Sequence, residues 1–224
     1  MDTSTHTFDD DAVSMLEAMG LSGEIMNEIC RRGLAEYFRA TLYHPSNAAG
    51  TFLYHELVRA TRELLVPNGW DFAEESLSFT LNRELSIALA VSSGNIYTGN
   101  RTRNPSSKYP KGPTTQDAIV GNARQLGLFD NIPSMTEFAQ PRAAKHVDFN
   151  KFQTWWLIHY VDLHDQVMRA ELSLPTSISS AGEINQWEIR IILDPIRFDE
   201  EPSVERSDSG PDDQDVIVEV RKKA

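Results

Sequence analysis

Residues 154–193 read TWWLIHYVDLHDQVMRAELSLPTSISSAGEINQWEIRIIL, and their periodicity decides the fold. Trp155, Leu157, His159 and Val161 fall on one face, and Trp156, Ile158 and Tyr160 on the other. A strand that is apolar on both faces belongs at the centre of a sheet. His164-Asp165 then marks a turn. Met168, Ala170, Leu172 and Leu174 alternate with Arg169, Glu171 and Ser173. After a polar loop at 177–183, Trp187, Ile189, Ile191 and Leu193 carry the same period, with Glu188 and Arg190 between them. Period-two alternation predicts a three-strand antiparallel meander. It places Glu171, Ser173, Glu188 and Arg190 on its outward face.

Upstream, Leu77, Phe79 and Leu81, then Leu85, Ile87, Leu89 and Val91, alternate in the same way and predict a hairpin. Asn82-Arg83 is a weak two-residue turn, which leaves room for a longer connection. Helical spacing appears elsewhere. A short helix fits Ala12–Gly20. A longer one fits residues 23–42, with Gly33 as a point where it can break. A third fits Ala48–Val66 and is stopped by Pro67-Asn68-Gly69. Thr114 opens a further helix to Leu126, with Asp117 completing an approximate capping box and Gly127 as the stop. The expected fold class is α+β: an antiparallel sheet of about five strands, hairpin plus meander, covered by about three helices.

The chain has 224 residues, 40% hydrophobic and 24% charged, as in ordinary globular domains. No apolar run approaches the roughly 18 residues of a membrane span. The acidic start does not read as a secretory signal. Cys30 is the single cysteine, so no internal disulfide can form, and a reducing, cytoplasmic setting is expected. Cys30 lies on the apolar stripe of its helix and reads as a core thiol.

Net charge is −12, which argues against a general nucleic-acid binder. The acids gather at the ends. Asp2, Asp9, Asp10 and Asp11 lie in residues 1–12, and nine acids against Arg206 lie in residues 199–219. The expected organisation is a disordered acidic segment 1–12, one domain over 13–198, and a flexible acidic tail 199–224. That tail ends in the strand-former Val216-Ile217-Val218-Glu219-Val220.

Inside this acidic chain, residues 95–116 contain no acid at all and carry Arg101, Arg103, Lys108 and Lys111. They belong to a long irregular loop, 92–113, and loops of that length in a compact domain are usually functional or mobile. Lys108-Tyr109-Pro110-Lys111-Gly112-Pro113-Thr114-Thr115 leads into a helix N-terminus, whose free N–H groups and dipole favour an anion. Arg101, Arg103, Lys108, Lys111, Gly112, Thr114 and Thr115 are the candidate phosphate-binding residues. The motif is not a P-loop, because Lys precedes Gly112 and Pro113 removes an N–H. The competing reading is a solvated loop whose cations pair with the acidic tail or with helix glutamates.

A second candidate is a metal-dependent nuclease site. Glu171, Glu188 and Arg190 are its catalytic candidates, with the acid-x-cation spacing of restriction-type nucleases in Glu188-Ile189-Arg190. A cross-strand salt ladder on a wet face explains the same residues. His159 and His164 lie near one turn with Asp162 and Asp165, but they read as surface or core-edge histidines. Trp156 reads as core, with an exposed stacking surface as the alternative. His55-Glu56 is not a zinc helix, because Arg59 occupies the second ligand position. No cofactor motif and no metal site is expected.

His44-Pro45, the helix to Pro67-Asn68-Gly69-Trp70, Thr98-Gly99 and Lys108-Tyr109-Pro110-Lys111-Gly112 together resemble uncharacterised bacterial proteins, some from phage or mobile elements. The resemblance covers about residues 40–195. It implies an accessory role and no established activity. The leading expectation is a non-enzymatic interaction protein of a bacterial or phage nucleic-acid system, with a protein partner or a nucleic-acid or nucleotide phosphate at the basic loop. The alternatives are a metal-dependent nuclease or nucleotide-processing enzyme, and a phage inhibitor whose acids mimic nucleic acid. No membrane partner is expected.

Overall fold

The computed structural model describes residues 3–7, 10–74, 77–127 and 148–200. The acidic tail beyond residue 200, with its strand-forming end, lies outside the described residues, as does most of the irregular stretch 130–150. Among the described residues, eight strands form one mixed sheet: β1 (Ser4–Thr7), β2 (Asp71–Glu74), β3 (Ser78–Asn82), β4 (Ile87–Ser93), β5 (Gln153–Asp162), β6 (Val167–Ile178), β7 (Ile184–Ile192) and β8 (Ile196–Arg197). Their order is β1-β7-β6-β5-β4-β3-β2, and β8 pairs with the start of β6.

The hairpin β3–β4 and the meander β5–β6–β7 are antiparallel as the alternation predicts. The sheet as a whole is not. β4 runs parallel to β5, joined through the loop 94–112 and helix α4 (Pro113–Gln125), and β1 runs parallel to β7. Residues 4–7 lie in the segment expected to be disordered, yet they pair Ser4↔Ile189 through Thr7↔Ile192. A four-residue parallel edge strand buries too little to show as periodicity.

The β3–β4 and β5–β6 connections use one device. Asn82 Oδ1 accepts from Leu85 N at 2.9 Å, and Asp162 Oδ1 accepts from Asp165 N at 3.1 Å. Each loop has four residues and closes on a residue with positive φ, Ser86 at 56° and Gln166 at 52°. The side chain supplies the acceptor that starts the turn, so neither loop needs Asn-Gly.

One sheet face carries α1 (Asp10–Ala18), α2 (Gly23–Tyr37) and α3 (Ala48–Leu65). Ser22 Oγ caps α2 by accepting from Ile25 N at 3.2 Å. Gly33 does not break α2. A Cβ there would stand 2.6 Å from Leu57 Cδ2 and 2.9 Å from Leu53 Cδ1, so glycine sets the closest approach of α2 to α3. Leu57, Leu157, Leu172 and Ile191 join the core between these helices and the sheet. Cys30 sits in the same core, and burial pushes its thiol up to about 12. That thiol is inert.

The opposite face holds a second core of Phe79, Ala90, Trp156, Ile158 and Trp187 under α4. Trp156 is buried there, so it offers no stacking surface. Asn122 of α4 is also buried and bonds to the backbone of β5 and β6. Among the described residues, no helix is long and apolar enough to cross a membrane.

Candidate anion-binding loop

The segment 94–112 leaves β4 and crosses the second face of the sheet. Its neck closes where Gly94 bridges Ser107 and Asn95 N donates to Ser106 O at 3.1 Å. Gly94 is required at that neck, because a Cβ would collide with Thr98 Oγ1 and Ile158 Cγ2. The loop is fastened to the start of β7 by Ser107 N to Ile184 O at 2.9 Å, Lys111 N to Gly182 O at 2.7 Å and Trp187 Nε1 to Pro105 O at 2.9 Å.

Its main anchor is ionic. Arg190 and Glu171 were expected on a wet outer face, and both are fully buried instead, together with Ser173. Arg190 donates through Nη2 to Glu171 Oε2 at 2.6 Å and through Nε to Oε1 at 3.0 Å. Its other donors reach Asn100 O at 3.0 Å, Arg103 O at 3.2 Å and Asn104 Oδ1 at 3.3 Å. Glu171 also accepts from Gly99 N at 2.9 Å and Ser173 Oγ at 2.8 Å. Gly99 has φ of +72°, and a Cβ there would press on Arg169. The outward placement of Glu171, Ser173 and Arg190 is thus correct, but the long loop lies on top of them and dries them, and a register shift beside Pro175 turns Trp187, expected to share the face of Ile189 and Ile191, onto this second face.

What the loop leaves in solvent is positive. Arg101, Arg103 and Lys108 are exposed, beside exposed Ile96 and Tyr109. Arg103 stacks 5.1 Å from the Tyr97 ring and donates to Tyr97 Oη at 3.0 Å. Lys108 Nζ lies 5.4 Å from the Tyr109 ring. Arg32, Arg39, Arg59, Arg62, Arg83, Lys151, Arg169 and Arg190 all pair with carboxylates. Arg101, Arg103, Lys108 and Lys111 have no carboxylate partner among the described residues. Pairing with helix glutamates, the bland explanation of this loop, does not occur there. Pairing with the tail lies outside the described residues.

The predicted anion seat at α4 is assembled only in part. The helix begins at Pro113, with Gly112 exposed at its N-cap. Lys111 turns inward and donates to Ser92 Oγ at 2.6 Å, and loss of hydration lowers its pKa. Thr115 is buried and Thr114 half-buried. The cations on offer are therefore Arg101, Arg103 and Lys108, on the loop body rather than around the helix N-terminus.

The carboxylates of the meander do not converge. Glu171 is saturated by Arg190, Gly99 and Ser173. Glu188 lies on β7 outside that cluster, half-buried. At the β5–β6 turn, Arg169 holds Asp162 at 2.9 Å and Asp165 at 2.6 Å. Exposed His164 contacts Asp165, whose carboxylate raises its pKa. His159 is buried, and burial, with Lys111 and Lys108 adding, pushes it down to about 4. Among the described residues, no group of three or more His, Cys, Asp or Glu side chains is placed to hold a metal ion.

Sequence reasoning did not find Ser92 as the seat of Lys111, nor Asn122 as a backbone bridge. Their signal, a polar residue inside an apolar pattern, is too common to stand out.

No protein-family model, no curated protein and no solved structure matches this chain. The loop is read from its own chemistry.

Proposed function

We propose that this chain is a non-enzymatic accessory protein that holds a phosphate-bearing partner on the loop 95–112, in a bacterial or phage nucleic-acid system. One observation carries the reading. Among the described residues, the loop cations Arg101, Arg103 and Lys108 stand exposed without carboxylate partners, while Arg32, Arg39, Arg59, Arg62, Arg83, Lys151, Arg169 and Arg190 are all paired. Leaving charge unpaired on a fixed loop favours an anionic ligand, because the ligand supplies the missing counter-charge without ordering the loop first. The fixed base comes from Arg190 and Glu171. The nuclease alternative draws no such support, since Glu171 and Arg190 are consumed as loop anchors.

Retention on phosphocellulose tests the reading. With a net charge of −12, the full chain should be repelled by that polyanion at neutral pH. We expect it to be retained at low salt through the loop, and the Arg101→Glu/Arg103→Glu/Lys108→Glu variant to pass through. Passage of the unaltered chain overturns the proposal.

A further inference from the structure

We infer that the partner of this loop is a single-stranded nucleic acid. The inference rests on the phosphate-binding reading above and narrows it. A partner that offers phosphates alone needs cations alone. Here each of two exposed cations is set against an aromatic ring, Arg103 at Tyr97 and Lys108 at Tyr109, and Tyr109 is 59% exposed. Ile96, 58% exposed, adds an apolar surface to the same loop. A ring face beside a charge is what one unpaired nucleotide needs: the base stacks and the phosphate pairs. A duplex keeps its bases stacked on each other and cannot use the rings. Glu171, the carboxylate that touches the loop at Gly99, is already paired with Arg190 and does not repel a strand.

The test is fluorescence anisotropy on the full chain with labelled oligo-dT and oligo-rU of about twelve nucleotides, a length within known single-strand site sizes. A duplex of equal length and inorganic polyphosphate serve as competitors. We expect either single strand to bind at least about tenfold more tightly than the duplex, and the stronger of the two to name the sugar. Tyr109→Ala should weaken single-strand binding by about tenfold. It should leave the polyphosphate affinity and the unfolding temperature unchanged, since the ring is on the surface. Equal affinity for duplex, or single-strand binding unaffected by Tyr109→Ala, overturns this inference, while phosphocellulose retention still supports the wider reading. Failure to bind any of these polyanions overturns both.

Discussion

Arg190 and Glu171 meet diagonally across two strands. In the register of β6 and β7, Arg190 faces Ser173 and Glu171 faces Ile192. The guanidinium nevertheless reaches both carboxylate oxygens, at 3.0 and 2.6 Å, with neither side chain exposed. The diagonal leaves the Ser173 hydroxyl under Glu171 and turns the remaining Arg190 donors upward into the loop. Burying two charges costs several kcal/mol per ion unless every lone pair and N–H finds a partner. The loop backbone at Gly99, Asn100 and Arg103 provides those partners. The sheet holds the loop, and the loop completes the solvation of the pair.

Removing one partner should therefore cost more than removing both. Arg190→Met leaves the Glu171 carboxylate buried and unpaired, and a loss of about 3–5 kcal/mol is expected in urea denaturation. Arg190→Met with Glu171→Leu should recover much of that loss. In both variants the loop has lost its anchor, so trypsin should cut after Arg101, Arg103 and Lys108 faster than in the unaltered chain. Unchanged cutting in the double variant would show that the Ser107, Lys111 and Trp187 contacts suffice.

A second hinge of stability is Asn122. The β5–β6 register runs from Asp162↔Val167 to Trp156↔Ser173 and stops there. Two positions further along β6, where the continued register would face Thr154, stands Pro175, which has no N–H to give. The Asn122 amide takes its place: it accepts from Thr154 N at 2.7 Å and donates to Thr154 O at 2.8 Å and Pro175 O at 3.1 Å. Asn122→Leu keeps the branching at Cγ and leaves Thr154 N–H and C=O buried without those partners. A loss of about 3 kcal/mol is expected, at roughly 1–3 kcal/mol per orphaned group. A urea midpoint within error of the parent's would contradict this account.

The sequence makes the meander, the hairpin and the helices legible because each repeats one period over several residues. Trp155 to Val161, apolar on both parities, already implies a second covered layer. With β5 covered on both sides, Glu171 on β6 and Arg190 on β7 are covered too. Alternation reports which face a side chain takes and says nothing of what lies above it. The loop that covers them has no periodicity, so only its length and its glycines at 94 and 99 hint that it packs. Gly33 shows the same limit. Its helix propensity suggests a break, while the close approach of Leu57, on another helix, fixes the residue. The exposed cations Arg101, Arg103 and Lys108 were legible as a group, because an acid-free stretch in an acidic chain needs no three-dimensional information to be seen.

His159 makes the fold sensitive to acid. It pairs in register with Ala170 and sits buried, with no hydrogen-bond partner for Nε2 among the described residues. Burial, then the positive Lys111 and Lys108, holds the ring neutral by pushing its pKa down from 6.5 to about 4. The unfolded chain takes up this proton near pH 6.5 and the folded chain does not. Stability from this group is therefore unaffected above that pH and is lost as pH falls from about 6.5 toward 4. Between pH 7 and pH 5 the loss should reach about 2 kcal/mol, at about 1.4 kcal/mol per pH unit below the unfolded pKa. Stopping at pH 5 keeps most carboxylates ionised, so the slope belongs to histidine. In His159→Gln the ring proton is gone, and the urea midpoint should change far less over the same interval, whatever the substitution costs at pH 7. The exposed His164 titrates with the opposite sign, since Asp165 raises its pKa and stabilises its charged form. His164→Gln should therefore steepen the acid loss slightly, and a slope equally flattened by either substitution would remove His159 from the explanation.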